Sequence, residues 1–159
     1  ETFYPYGYDN LNVIESFGRN SRVIFPFRRI ESLSKLPPEQ WRVQGLLTYV
    51  YHLFPNTLVT MLTHHTNLAV LEPLSPTRTR LLTYSLTNRG CETDEQLAQA
   101  KHDSEFVNEM GVSEDRAVAA AIQRHLASKA NTHFTYGHFE AAIVHFHHAL
   151  DAALAGSAT

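Results

Sequence analysis

The chain has 159 residues, 43% hydrophobic and 18% charged, which suits one packed domain and excludes a disordered chain. Lys and Arg number 13 against 16 Asp and Glu, so the formal charge of −3 offers no clustered cationic footprint for nucleic acid or a membrane surface. The closest of the 7 glycines are Gly7 and Gly18, which excludes phosphate-cradling glycine loops, and a lone Cys91 excludes an intrachain disulfide or a cysteine-ligated cluster.

The chain opens on Glu1, not Met, with no charged-then-apolar leader, and is expected to be a processed, trimmed or partial sequence of a cytoplasmic protein. Leu11, Val13 and Phe17 alternate with Asn12 and Ser16, the period of a half-buried strand. Ser21 to Arg28 reads as a second strand, with Pro26 suggesting an edge or a bulge. Pro37-Pro38-Glu39-Gln40-Trp41 reads as a short helical turn. Leu46–Phe54, Thr57–His65, Thr66–Leu74 and Arg78–Thr87 follow, rich in Thr, Val, Tyr and Leu and punctuated by Pro55-Asn56 and Ser75-Pro76-Thr77. Val43 to Leu71 lacks Asp, Glu, Lys and Arg, but its Pro-Asn turn and many Thr, His and Asn residues favour paired strands over a membrane span. An antiparallel meander is expected.

After Gly90 the spacing becomes helical. Thr93-Asp94-Glu95-Gln96 reads as a capping box ahead of Leu97, Ala100, Ser104 and Val107. Gly111 breaks that helix and Ser113 caps the next, whose stripe is Val118, Ile122 and Leu126. A last helix carries Phe139, Ile143, Phe146, Leu150 and Leu154, before a frayed tail. Strands and helices in separate blocks predict an α+β fold, with the sheet gripping a long helix that follows Ser113.

Four segments in order carry a resemblance. They are Val50-Tyr51-His52-Leu53-Phe54-Pro55-Asn56-Thr57-Leu58-Val59, then Pro73-Leu74-Ser75-Pro76-Thr77-Arg78-Thr79-Arg80. Glu114-Asp115-Arg116 with Ile122-Gln123-Arg124 comes third, and Glu140 with His145-Phe146-His147 closes the set. Arg22-Val23-Ile24-Phe25-Pro26 and Pro38-Glu39-Gln40-Trp41 agree with it. Together they resemble the C-terminal part of the catalytic domain of Rieske-type ring-hydroxylating oxygenase large (alpha) subunits, over essentially the whole chain. The resemblance implies a helix-grip, START-like domain lacking the N-terminal elements of the full domain and the Rieske domain. It implies a mononuclear Fe(II) held by two His and one Asp, and a [2Fe–2S] cluster fed by a reductase or ferredoxin. It further implies hydroxylation of an aromatic or other apolar substrate with O2, and a homo-oligomer.

Departures from the family pattern shape the expectation for this polypeptide. A Rieske centre needs two Cys and two His, and only Cys91 is present. His133 and His138 have the family's His-x-x-x-x-His spacing, but Ala130 stands where an acid belongs and the pair follows the Asp-bearing helix. They are read as loop histidines. The carboxylate candidate is Asp115, in helical phase with Val118, Ala119, Ile122 and Leu126, so it is expected to face inward and need a cation or donor. As a first-turn acid it would also favour the helix dipole without any further role. Neither iron nor cluster is expected on these residues alone, and the isolated chain is expected to be inactive.

Thr48, Val50 and His52, with Thr60, are expected to line a substrate pocket under the helix, whereas Tyr49 and Tyr51 are read as core with Leu47 and Leu53. His64 and His65 point to opposite sides of a strand, and His145, His147 and His148 do not share one helical face. Cys91 is read as incidental. Three functions compete: an oxygenase catalytic-domain fragment, a metal-free helix-grip module that binds a hydrophobic small ligand, and, weakest because none of its clusters converges, an independent His-rich metalloenzyme.

Overall fold

The computed structural model describes residues 7–8, 11–90, 93–111 and 115–156. Six strands form one sheet in sequence order: β1 (Val13–Phe17), β2 (Asn20–Pro26), β3 (Leu47–Leu53), β4 (Thr57–Met61), β5 (His65–Ser75) and β6 (Arg78–Thr87). Every neighbouring pair is antiparallel. Among the described residues three α-helices follow, α1 (Asp94–Met110), α2 (Arg116–Leu126) and α3 (Ala141–Leu154). The fold is α+β, and β3 to β6 are the meander expected between Leu46 and Thr87. The hairpin between β1 and β2 joins Phe17 to Asn20 through two residues, and Gly18 supplies the φ of 58° that such a turn demands.

The register sorts side chains onto two faces. Val23 pairs with Val50, Val50 with Thr60, Thr60 with Asn67 and Asn67 with Ser85, which defines an inner face. Glu15, Arg22, Tyr51, Val59, Leu68 and Tyr84 form the matching row on the outer face. Helices α1 and α3 both lie on the inner face, at opposite ends. Ser104 of α1 meets Ser85 across 2.7 Å, and Phe146 of α3 sets its ring edge-on to His52 at 5.0 Å. The most buried apolar residues of these helices, Ala100 and Ala149, are small, so each helix backbone approaches the sheet closely.

The expected capping box is present: Gln96 N–H donates to Thr93 Oγ1 at 3.3 Å, and Thr93 N–H donates to Gln96 Oε1 at 3.0 Å. Its N-terminal geometry was fully legible, because both hydrogen bonds are local.

Four expectations are corrected. The helix after Ser113 does not cross the sheet. Of α2 only Ala121 is half-buried and its other residues are exposed, while α1 and α3 occupy the inner face instead. Pro26 does not mark an edge, since β2 runs between β1 and β3; it ends the strand, where a missing N–H costs least. Tyr49 and Tyr51 are not core: they stand half-buried on the outer face. There the Arg22 guanidinium lies 5.8 and 5.6 Å from their rings and bonds to Glu15 through Nε at 2.7 Å. Finally, Arg28–Lys35 forms a 3-10 segment where no element was expected, ahead of the anticipated helical turn at Pro38–Gln40. Ser113 and Cys91 lie outside the described residues.

Candidate functional site

A cavity of about 620 Å³ opens between the inner face and α3. Its floor is Val23, Val50, His52, Leu58 and Leu71, and its roof is Ala142, Ile143, Phe146 and Leu150. Period-2 alternation supplies the floor and the helical spacing of α3 supplies the roof. This apolar lining matches the volume and character of a small-molecule pocket.

Of the four residues expected there, Val50 and His52 line the cavity. Thr48 and Thr60 share their face but are not among the lining residues, because on their own strands they lie one inner-face position further from the Pro55-Asn56 turn than Val50 and Leu58. The roof residues went unassigned in the sequence, although Ile143, Phe146 and Leu150 were legible as one helical stripe. The rim joins two segments quoted above for their resemblance, about twenty residues apart. Asn56 receives the Leu71 N–H on its carbonyl at 2.9 Å and donates its side-chain amide to the Leu71 carbonyl at 2.9 Å. This double bond to one residue clamps the Pro55-Asn56 turn to β5, beside Pro73 and Thr79. It gives the Phe-Pro-Asn segment a physical purpose.

His52 is the cavity's polar exception. Its Nε2 lies 3.4 Å from the Pro55 carbonyl oxygen, which can only accept a hydrogen bond. Its Nδ1 is buried with no hydrogen-bond partner among the described residues.

A second polar cluster sits at the other end of the inner face. His64 Nδ1 bonds Asp103 Oδ2 at 2.8 Å, and Gln99 donates to Asp103 Oδ1 at 2.6 Å. Burial pushes the Asp103 carboxyl up, but the bonds from His64, Gln99 and His102 outweigh it and hold the group below the usual carboxylate range. His65, 2% exposed, lies under α1 with neither ring nitrogen bonded, and burial lowers its pKa. His64 precedes β5 and reaches α1 through Asp103, while His65 opens β5 beside Ala100 and Ser104 of the same helix, so both histidines meet α1.

Asp115 stands exposed beside the first residue of α2, with no side-chain cap bond, and Val118 and Ile122 in its phase are 58% and 50% exposed. The inward-facing carboxylate expected there is therefore at the surface. His133 and His138 are exposed on the segment before α3. His145 is half-buried with Nε2 unbonded, while His147 packs on Tyr136 at 5.6 Å, so the C-terminal histidines do not converge. Among the described residues no three His, Cys, Asp or Glu side chains are grouped to hold a metal ion. No described helix is long and apolar enough to cross a membrane.

No curated protein matches the chain. A family model described as ring hydroxylating alpha subunit (catalytic domain) matches residues 18–156. That span takes in the whole sheet from β2 onward, the cavity and all three helices. The chain accordingly belongs to the ring-hydroxylating alpha-subunit catalytic-domain family.

Proposed function

We propose that these residues form the substrate-holding part of the catalytic domain of a Rieske non-haem iron oxygenase, which hydroxylates an aromatic or other apolar molecule with O2. The observation that carries this reading is the apolar cavity under α3, within a chain whose family is one of ring hydroxylation. A volume of about 620 Å³ accommodates one or two fused aromatic rings. Burial against Val50, Leu58, Ile143 and Phe146 would supply affinity through the hydrophobic effect. His52 would supply orientation.

Mononuclear iron, when bound in this family, supplies O2 activation. The described residues do not fit such an ion by themselves, because Asp115 is one exposed donor and no three His, Cys, Asp or Glu side chains are grouped among them. Asp115 is accordingly proposed as a single ligand to a site completed by other donors, and a [2Fe–2S] centre as lying beyond these residues, since Cys91 is their one cysteine. A reductase or ferredoxin would deliver electrons to the complete protein, which would work in the cytoplasm as a homo-oligomer. On this reading the isolated chain binds substrate but does not turn it over.

The test titrates the chain with naphthalene while following methyl resonances by NMR. Shifts confined to Val50, Leu58, Ile143 and Leu150, and lost in Val50→Trp, support the pocket; shifts elsewhere overturn it. The metal-free ligand-binding module remains the second reading, favoured by a cavity whose walls need no metal. Stoichiometric iron in the longest natural form of the protein would decide for the oxygenase.

A further inference from the structure

The inner face changes character along its length. Toward the Pro55-Asn56 turn it is apolar, with Leu58 opposite Ala69 on the neighbouring strand. One inner-face position further along, Thr60 stands opposite Asn67, and Asn67 opposite Ser85. Two residues of strand span about 7 Å, so this row of hydroxyl and amide groups begins within one fused-ring length of the cavity floor. Thr60 and Asn67 are half-buried.

The hydrogen bonds of this row run in one direction. Ser85 Oγ lies 2.7 Å from Asn67 Oδ1 and 2.7 Å from Ser104 Oγ of α1. An amide oxygen only accepts, so the single Ser85 hydroxyl proton goes to Asn67, and Ser104 in turn donates to Ser85. Ser104 is buried under α1, which holds the relay in place. The relay fixes the Asn67 amide: its oxygen is turned to β6, and its N–H2 group is turned the other way, toward β4 and Thr60. An N–H donor beside a threonine hydroxyl, which can accept, is complementary to a group that both accepts and donates. An uncharged hydroxyl is such a group. A carboxylate only accepts, and its burial calls for a cation, whereas the neighbour of Ser104 in α1 is the ionised Asp103.

We propose that Asn67 and Thr60 bind a hydroxyl substituent of the substrate, so that the preferred ligand is an aromatic ring system carrying one uncharged hydroxyl group. The ring lies in the cavity under α3, and its hydroxyl accepts from Asn67 Nδ2 and donates to Thr60 Oγ1. This rests on the substrate-holding reading given above. Asn67 and Thr60 touch the ligand, while Ser85 and Ser104 act through Asn67 as positioning residues.

Three ligands with one ring system test it without any variant. Naphthalene, 2-naphthol and 2-naphthoate are titrated into the chain, with the methyl resonances of Val50 and Leu58 and the Asn67 side-chain amide followed by NMR. 2-Naphthol should bind about five- to tenfold more tightly than naphthalene, as one net hydrogen bond implies, and 2-naphthoate no more tightly than naphthalene. The Asn67 amide resonances should move with 2-naphthol and stay with naphthalene. In Asn67→Ala the ratio of those two affinities should fall to about one. Ser104→Ala should lower the same ratio, and Ser104→Thr, which keeps the hydroxyl, should restore it; a purely structural role for Ser104 would move both affinities together. Equal binding of naphthalene and 2-naphthol overturns the proposal and leaves the pocket standing. So does tighter binding of 2-naphthoate than of 2-naphthol, or an Asn67 amide that does not respond to 2-naphthol. Failure of all three ligands to shift Val50 and Leu58 overturns the pocket reading itself, and this proposal with it.

Discussion

Helices α2 and α3 were equally legible as amphipathic segments, yet they end in opposite circumstances. Helix α3 sets Ile143, Phe146 and Leu150 over a cavity floor of Val50, Leu58 and Leu71, and buries Ala149 to 9% exposure. Helix α2 has a better-separated stripe, Val118, Ile122 and Leu126, and all three are exposed. The difference is not in the helices but in what faces them. An apolar stripe says that a helix wants a partner; it does not say that the partner is within reach.

The largest test of this contrast is truncation of one anchor on each helix. Phe146→Ala removes a half-buried ring that touches both His52 and Phe54 and should cost about 2–3 kcal/mol, less than for a fully buried Phe. Ile122→Ala removes an exposed side chain and should change stability by less than about 0.5 kcal/mol. Urea denaturation of both variants measures the pair. Equal losses would mean that α2 is docked in solution and would erase the contrast.

Helix α1 extends the comparison, because it is docked through polar as well as apolar contacts and should therefore respond to pH as α3 does not. Burial lowers the pKa of His65, so the stability linked to it is full above the unfolded value near 6.5. That contribution is lost as pH falls from there toward the lower folded value. Asp103 has a depressed pKa, so its share is present above the unfolded value near 3.9 and disappears at lower pH still. Amide exchange of α1 against pH should show it loosening in these two stages, with α3 lagging. In His65→Phe the first stage should vanish. An α1 that holds equally at pH 7 and pH 5 would sink this account.

A smaller effect concerns how α1 begins. Thr93→Ala removes the acceptor for Gln96 N–H and should cost about 1 kcal/mol, read as a lower urea midpoint at unchanged slope. A Ser at the same position should restore most of it.

These cases also show what a sequence makes legible. The strand order, the capping box and the helical stripes depend on neighbours within a few residues, so period and local hydrogen bonding announce them. The expected break between His65 and Thr66 falls instead at residues 62–64, and His65 opens β5. Val50 and His52 were assigned to the pocket because alternation gives the face of a strand. Thr48 and Thr60 share that face but not the cavity, since the distance along the sheet from α3 is a tertiary quantity. The outer-face placement of Tyr49 and Tyr51 was missed for a related reason. Alternation separates two faces but does not say which one the helices cover, and aromatic bulk suggested the wrong one. The Asn56 clamp on Leu71 was invisible because it joins segments whose proximity only the register establishes.

The smallest expected effect is at the residue that the resemblance makes most interesting. Asp115→Ala should leave the stability of the isolated chain within about 0.5 kcal/mol, because the side chain is exposed and makes no cap bond. It should also leave iron retention unchanged. Affinity for Fe(II) requires several donors fixed around the ion, and among the described residues no three His, Cys, Asp or Glu side chains are grouped with Asp115. The measurement loads the chain anaerobically with Fe(II), removes the excess and compares bound metal in the unaltered chain and in Asp115→Ala. Both should retain far less than one iron per chain. His133 and His138 could change that outcome only if their segment folded back to within about 2 Å of a shared ion. Stoichiometric iron that disappears in Asp115→Ala would show that α2 docks in solution with its acid turned inward, and would reverse the contrast with α3.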